Sequence, residues 1–239
     1  RKILRGHTAP VTKLMLNKAG TILISASEDS TVRLWRVATG KLLHVLKGQM
    51  NGIYSIAVSH DDLHVASGAG DGSIYIWELA TGLLFKKIIH HVGAVRALCF
   101  SPVDKFLIGG GDDCRISVWN SADGSLIRSC KGHTKPIYSV GCSPGGNYIV
   151  SGSGDRTVRM WSMKSCAMVR VLRGHTSRVS SVQYSPDGRS IISTSFDDSL
   201  RRWPLRYGVR ALMSSDIDWH LAWPALVKKM FGSKSLGHE

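Results

Sequence analysis

SGSGDRTVRMW, residues Ser151–Trp161, is the stretch whose reading decides the fold. It follows KGHTKP (131–136), so a serine and an aspartate stand close in sequence to a histidine, the residue types of a hydrolase triad. The stretch is not unique. SASEDSTVRLW ends at Trp35, SGAGDGSIYIW at Trp77, GGGDDCRISVW at Trp119 and STSFDDSLRRW at Trp203. With Trp161, these tryptophans are spaced 42 residues apart, and Asp29, Asp71, Asp113, Asp155 and Asp197 keep step six residues before them. His7, Gln49, His91, His133 and His175 keep step as well. A catalytic site is needed once. A constellation repeated five times at a fixed period reads as the joint of a repeating unit.

One period shows what that unit is. In residues 132–172, IYSVGC (137–142) is β-branched and apolar enough for a strand, and SPGGN after it is a turn. YIVSGS (148–153) is a second strand, and Gly154–Asp155 turns the chain again. TVRMW (157–161) alternates, SMKSC is a loop and AMVRVL (167–172) is a fourth strand. Four short antiparallel strands per 42 residues make a propeller blade. One blade cannot cover both of its faces, whereas blades stacked about an axis can.

The GH…SP(D)G…SxSxDxTVRxW pattern, in five in-register copies over residues 1 to about 205, resembles the WD-repeat β-propeller family. The residue after each tryptophan is Arg36, Glu78, Asn120, Ser162 or Pro204, never the aspartate of the family's name. The resemblance implies an all-β fold of five four-stranded blades, or a five-blade part of a seven-bladed ring. It implies buried Asp–His–Ser–Trp tetrads: His7/Ser25/Asp29/Trp35, His133/Ser151/Asp155/Trp161 and His175/Ser193/Asp197/Trp203 are complete. Gln49 replaces the histidine of blade two and Gly109 the serine of blade three, so those two blades are expected to be less rigid. The strand order of each repeat is d-a-b-c. RKIL (1–4) is then expected to supply the missing outer strand of the last blade and close the ring. Arg202 stands where the other blades have Leu34, Ile76, Val118 and Met160, which calls for a more open face there or a carboxylate partner.

The 239 residues are 43% hydrophobic and 20% charged, in keeping with a soluble globular chain. No apolar run approaches the ~20 residues of a membrane helix, and RKILRGH lacks the apolar core of a signal peptide. The chain starts without methionine, as a processed chain or a fragment would. The five cysteines, Cys99, Cys114, Cys130, Cys142 and Cys166, form no CxxC pair. They suggest a reducing compartment, cytoplasm or nucleus, with no metal site, no cofactor and no disulfide framework. The net charge of +14 suits acidic proteins, RNA or anionic lipid, or else a merely solvated basic surface.

From Ser215 the character changes. Residues 206–239 form a tail in which Trp219, Ala222, Trp223, Leu226, Val227, Met230 and Phe231 trace an apolar stripe, an amphipathic helix over about 216–231. Packing on the propeller, docking to a partner and lying at a membrane surface are all open to it.

No phosphate loop, metal cluster or isolated nucleophile stands apart from the repeat. The expected function is a non-enzymatic scaffold or adaptor that presents a propeller face to proteins in a multi-subunit complex. The alternative is an RNA-associated ribonucleoprotein component. In the family, partners meet the loops before strand a and between strands b and c. Among the residues there, Tyr54, Arg96, Lys135, Tyr138, Arg178 and Phe196 are the expected partner-binding set.

Overall fold

The computed structural model describes residues 3–103 and 105–205. The tail, with the expected Trp219–Phe231 helix, lies outside them. Nineteen antiparallel strands form five sheets. The first holds β1 (Val11–Leu16), β2 (Ile22–Ser27), β3 (Val32–Arg36) and β4 (Leu42–Leu46). The second holds β5 (Ile53–Val58), β6 (His64–Ala69), β7 (Ser73–Glu78) and β8 (Leu84–Ile89). The third holds β9 (Val95–Phe100), β10 (Phe106–Gly111), β11 (Ile116–Asn120) and β12 (Leu126–Cys130). The fourth holds β13 (Ile137–Cys142), β14 (Tyr148–Ser153), β15 (Val158–Ser162) and β16 (Met168–Leu172). The fifth has three: β17 (Val179–Tyr184), β18 (Ser190–Ser195) and β19 (Leu200–Pro204).

Each sheet is a propeller blade, with neighbours in sequence neighbours in the sheet. The turns are where the residues require them. The two residues after each b strand reverse the chain, and the next adopts positive φ: Ser30, Gly72, Cys114, Arg156 and Asp198. The aspartate before each bonds the N–H two residues on, as Asp155 does with Thr157 at 3.0 Å.

The core lies between blades. One buried cluster joins Ile24, Val32 and Leu34 of the first blade to Ile53, Val65 and Trp77 of the second. Three more clusters bridge blades two to three, three to four and four to five. The first strands stack, β1 on β5, β5 on β9, β9 on β13 and β13 on β17. Blades in mid-row are covered on both faces, so β7 is buried almost throughout. The outer strands β8, β12 and β16 face solvent along most of their length.

The expectation of five four-stranded blades holds for four of them. Ile3 and Leu4 form no strand and are exposed, and among the described residues β19 pairs with β18 alone, so Ile3 and Leu4 do not complete the fifth blade. No packing like that between neighbours joins the first sheet to the fifth. Among the described residues nothing covers the two end faces. Val11 is 48% exposed, whereas its register equivalents Ile53, Val95, Ile137 and Val179 are sealed. Leu14 is 64% exposed, whereas Ile56, Leu98, Val140 and Val182 are buried. At the other end Leu200 and Arg202 are exposed where Val32 and Leu34 are buried. Period and pattern specify a blade, but they do not say whether the two end blades meet.

The expectation of no disulfide is also overturned. Cys130 and Cys166 are bonded, with Cα atoms 4.8 Å apart, and Cys99, Cys114 and Cys142 are free. A count of cysteines carries no information about two positions that meet only across a blade boundary.

Candidate functional site

Two constellations stand out, one inside each blade and one across blades. In blade four the His133 Nδ1–H donates to Asp155 at 2.8 Å, and Nε2 meets the Ser151 hydroxyl at 2.7 Å. The Trp161 indole N–H donates to the same hydroxyl at 2.8 Å. A neutral imidazole protonated on Nδ1 satisfies every member. Burial works to raise the Asp155 carboxyl, but the hydrogen bonds from His133 and Thr157 outweigh it and hold it well below the usual carboxylate range. Burial lowers the His133 imidazole, against the pull of Asp155.

Blades one and five repeat the geometry: His7 to Asp29 at 2.8 Å and Ser25 at 2.7 Å, and His175 to Asp197 at 2.9 Å and Ser193 at 2.8 Å. Trp35 and Trp203 donate to their serines at 2.9 and 2.8 Å. The resemblance to a hydrolase stops at access. Ser151 is 0% exposed and its oxygen already accepts an indole proton, so no carbonyl carbon can approach it.

The two incomplete blades resolve differently. Gln49 accepts from Ser67 at 2.6 Å and donates to the carbonyls of Ser67 and Ser73, both at 3.2 Å, while Trp77 donates to Ser67 at 3.0 Å. The amide therefore repairs the inner half of the network and leaves Asp71 to its turn. In blade three, His91 still bonds Asp113 at 2.7 Å, but Gly109 offers nothing, and His91 Nε2 and Trp119 Nε1 are buried without a partner.

The second constellation joins the residues expected to meet a partner. Tyr54, Arg96 and Tyr138 are the second residues of β5, β9 and β13; Arg178 directly precedes β17, and Phe196 follows β18. The N–H of each b–c turn residue bonds the carbonyl two residues before the a-strand position: Gly154 to Pro136 at 2.9 Å, Asp112 to Ala94 and Phe196 to Arg178, both at 3.0 Å. This register puts the side chains of four blades on one edge. They alternate aromatic and cation. The Arg96 guanidinium lies 5.8 Å from the Tyr54 ring and 5.5 Å from Tyr138. Arg178 lies 5.6 Å from Tyr138 and 3.8 Å from Phe196. Lys135 is exposed beside the Tyr138 turn, its carbonyl held by Ser153 at 2.8 Å.

The two arginines differ. Arg96 is clamped by Asp112, through Nε and, at 3.0 Å, through Nη2, and that bond raises its already high pKa. Arg178 is exposed and forms no ion pair among the described residues, and Phe196 beside it is 58% exposed. Sequence reading selected the ladder but not the clamp. The signal was the doubled acid of GGGDD, whose first aspartate occupies the b–c turn position. Among the described residues, no group of acidic, histidine or cysteine side chains could hold a metal ion, and no helix is long and apolar enough to cross a membrane.

A family model described as "WD domain, G-beta repeat" matches residues 1–36, 40–78, 82–120, 124–162 and 166–204. Curated relatives match over shorter stretches. "Dynein assembly factor with WD repeat domains 1" of Mus musculus is 44% identical over 59 residues, 25% of this chain and 14% of its own. "WD repeat-containing protein pop1" of Schizosaccharomyces pombe is 40% identical over 58 residues, 24% of this chain and 7% of its own. "Lissencephaly-1 homolog" of Caenorhabditis briggsae is 40% identical over 55 residues, 23% of this chain and 14% of its own. The matched stretch is thus a small part of each relative.

Proposed function

The chain belongs to the WD40 repeat family, and from that premise we propose that it is a non-enzymatic scaffold or adaptor whose Tyr54–Phe196 edge binds a protein partner within a multi-subunit complex. The observation that carries this reading is the ladder itself. Four blades contribute to one strip, four aromatic–arginine contacts hold it in place, and its Arg178–Phe196 end is exposed, with Arg178 in no ion pair among the described residues. Large aromatics and arginines held rigid before binding are the usual anchors of an interface. Arg96, spent on Asp112, positions Tyr54 and Tyr138, and Lys135 adds charge at the margin. One relative is named for assembling dynein, which fits a role in bringing subunits together. We place the protein in the cytoplasm or nucleus, where its three free thiols would persist.

The test starts from affinity purification with mass spectrometry, with and without nuclease. The identified partner, purified, is then titrated against Arg178→Glu/Phe196→Ala. Binding should weaken at least tenfold with the melting temperature unchanged. Unchanged affinity would remove this edge as the site. The net charge of +14 favours one second reading, RNA binding within a ribonucleoprotein. Loss of the partner on nuclease treatment, with a steep fall of affinity in salt, would select it.

A further inference from the structure

The turn between strands c and d carries a left-handed residue in each of the first four blades. It is glycine at Gly40, Gly82 and Gly124, with φ of 73°, 72° and 76°, and cysteine at Cys166, with φ of 55°. Glycine suits the position twice over. It accepts positive φ, and it faces the outer strand of the preceding blade. A Cβ on Gly82 would meet the His44 side chain at 2.8 Å, and one on Gly124 would meet Ile88 at 3.1 Å. Ile88 ends its blade's outer region at the register position that Leu46 and Leu172 also fill. In blade three that position is Cys130. Two departures from the repeat thus fall on positions that touch, one on each side of a blade boundary, and both are cysteine.

We propose that Cys130 and Cys166 form a thiol–disulfide exchange site between blades three and four, with glutathione or a similar small thiol as its co-substrate. Access is one-sided. Cys130 is buried, whereas Cys166 is half-buried on the turn, so Cys166 is the sulfur we assign to meet a small thiol. Arg128, two residues before Cys130, donates to the Met163 carbonyl at 3.4 Å and so ties the outer strand of blade three to the turn that carries Cys166. The other thiols compete poorly. Burial raises Cys99 well above its usual value and Cys142 to about 11, and burial with nearby carboxylates raises Cys114.

The steps balance. The Cys166 thiolate attacks glutathione disulfide and expels one glutathione thiolate, leaving a mixed disulfide on Cys166. The Cys130 thiolate then attacks the Cys166 sulfur and expels the second. Two protein thiols are oxidised to one disulfide, glutathione disulfide is reduced to two thiols, and the two protons pass to glutathione. Excess reduced glutathione runs the exchange backwards. The bond ties two blades that otherwise meet through non-covalent contacts, so the oxidised form resists separation of the blades more than the reduced form does.

The test uses the full chain, reduced and then incubated over a range of ratios of reduced to oxidised glutathione. Free thiols are alkylated, and peptides are mapped by mass spectrometry. A Cys130–Cys166 link should appear, and Cys130→Ser should instead retain glutathione on Cys166. Melting should rise on oxidation by on the order of 5 °C. Cys166→Gly restores the residue of the sister turns, so it keeps the fold and should melt alike in both conditions. Absence of the link at every ratio, a Cys99–Cys142 link in its place, or the same oxidation-linked rise in Cys166→Gly would overturn the proposal.

Discussion

Blades three and four share a 42-residue template and differ at one tetrad position, Gly109 against Ser151. In blade four the Ser151 hydroxyl links His133 and Trp161, and every polar atom of the tetrad is satisfied. In blade three the same imidazole and indole are buried with their inner nitrogens orphaned. The acids differ too. Asp155 accepts from His133, Thr134, Thr157 and Arg159, whereas Asp113 accepts from His91 and the Arg115 N–H. Both blades form the same four strands. The tetrad is therefore a strengthening element laid over a fold that inter-blade burial already specifies, and its loss in one blade is carried by the neighbours.

The largest expected effect is Trp161→Ala, about 3–5 kcal/mol, because it empties a fully buried site and strands Ser151. Asp155→Ala should cost about 2–4 kcal/mol and Asp113→Ala about 1–2, since fewer donors lose their acceptor. Denaturant unfolding measures both, and equal losses would break the comparison. Between these and the smallest effects lies pH. The folded His133 resists protonation, so the unfolded chain binds more protons just below the ordinary imidazole value of about 6.5. Stability should therefore fall as pH drops from 7 towards 5, and again below about 4, where Asp155 protonates in the unfolded chain first. His133→Gln, the exchange blade two already carries, should flatten the upper step of a pH series of melting curves. A slope unchanged by it would assign that step elsewhere. The smallest effect is Trp119→Phe, within about 1 kcal/mol, because it deletes an N–H that has no partner. Trp161→Phe should cost more than that. Gly109→Ser supplies the missing hydroxyl, but its Cβ would meet the Trp119 ring at 2.8 Å, so the indole must move and little is gained.

What could be read from the chain follows the period. Strands, turns and tetrad members recur in register, so the blade was legible down to Gly109 and Gln49. The ladder was legible for the same reason, because Tyr54, Arg96 and Tyr138 share one register position, and Arg178 and Phe196 stand at the positions of Pro136 and Gly154, whose backbones bond in the same way. What breaks the period was not. Asp112 clamping Arg96 depends on one turn's own residue, and Cys130 and Cys166 meet only because a c–d turn faces the preceding blade. Closure by RKIL failed for a different reason. It depends on the angle accumulated over four inter-blade packings, and no local pattern encodes a sum.

Arg202 gives the two ends of the row an asymmetry. One end offers Val11 and Leu14 to a neighbour, and the other offers Leu200 and a guanidinium whose Nε bonds Ser190 at 3.0 Å. Copies stacked end to end would make a heterologous contact, which does not close and propagates into a filament. A joint that buried Arg202 against Val11 and Leu14 without a carboxylate partner would cost several kcal/mol. The arginine thus disfavours burying this face against an apolar one. Arg202→Leu would match Leu34 of the first blade and should raise light scattering above that of the unchanged protein at the same concentration.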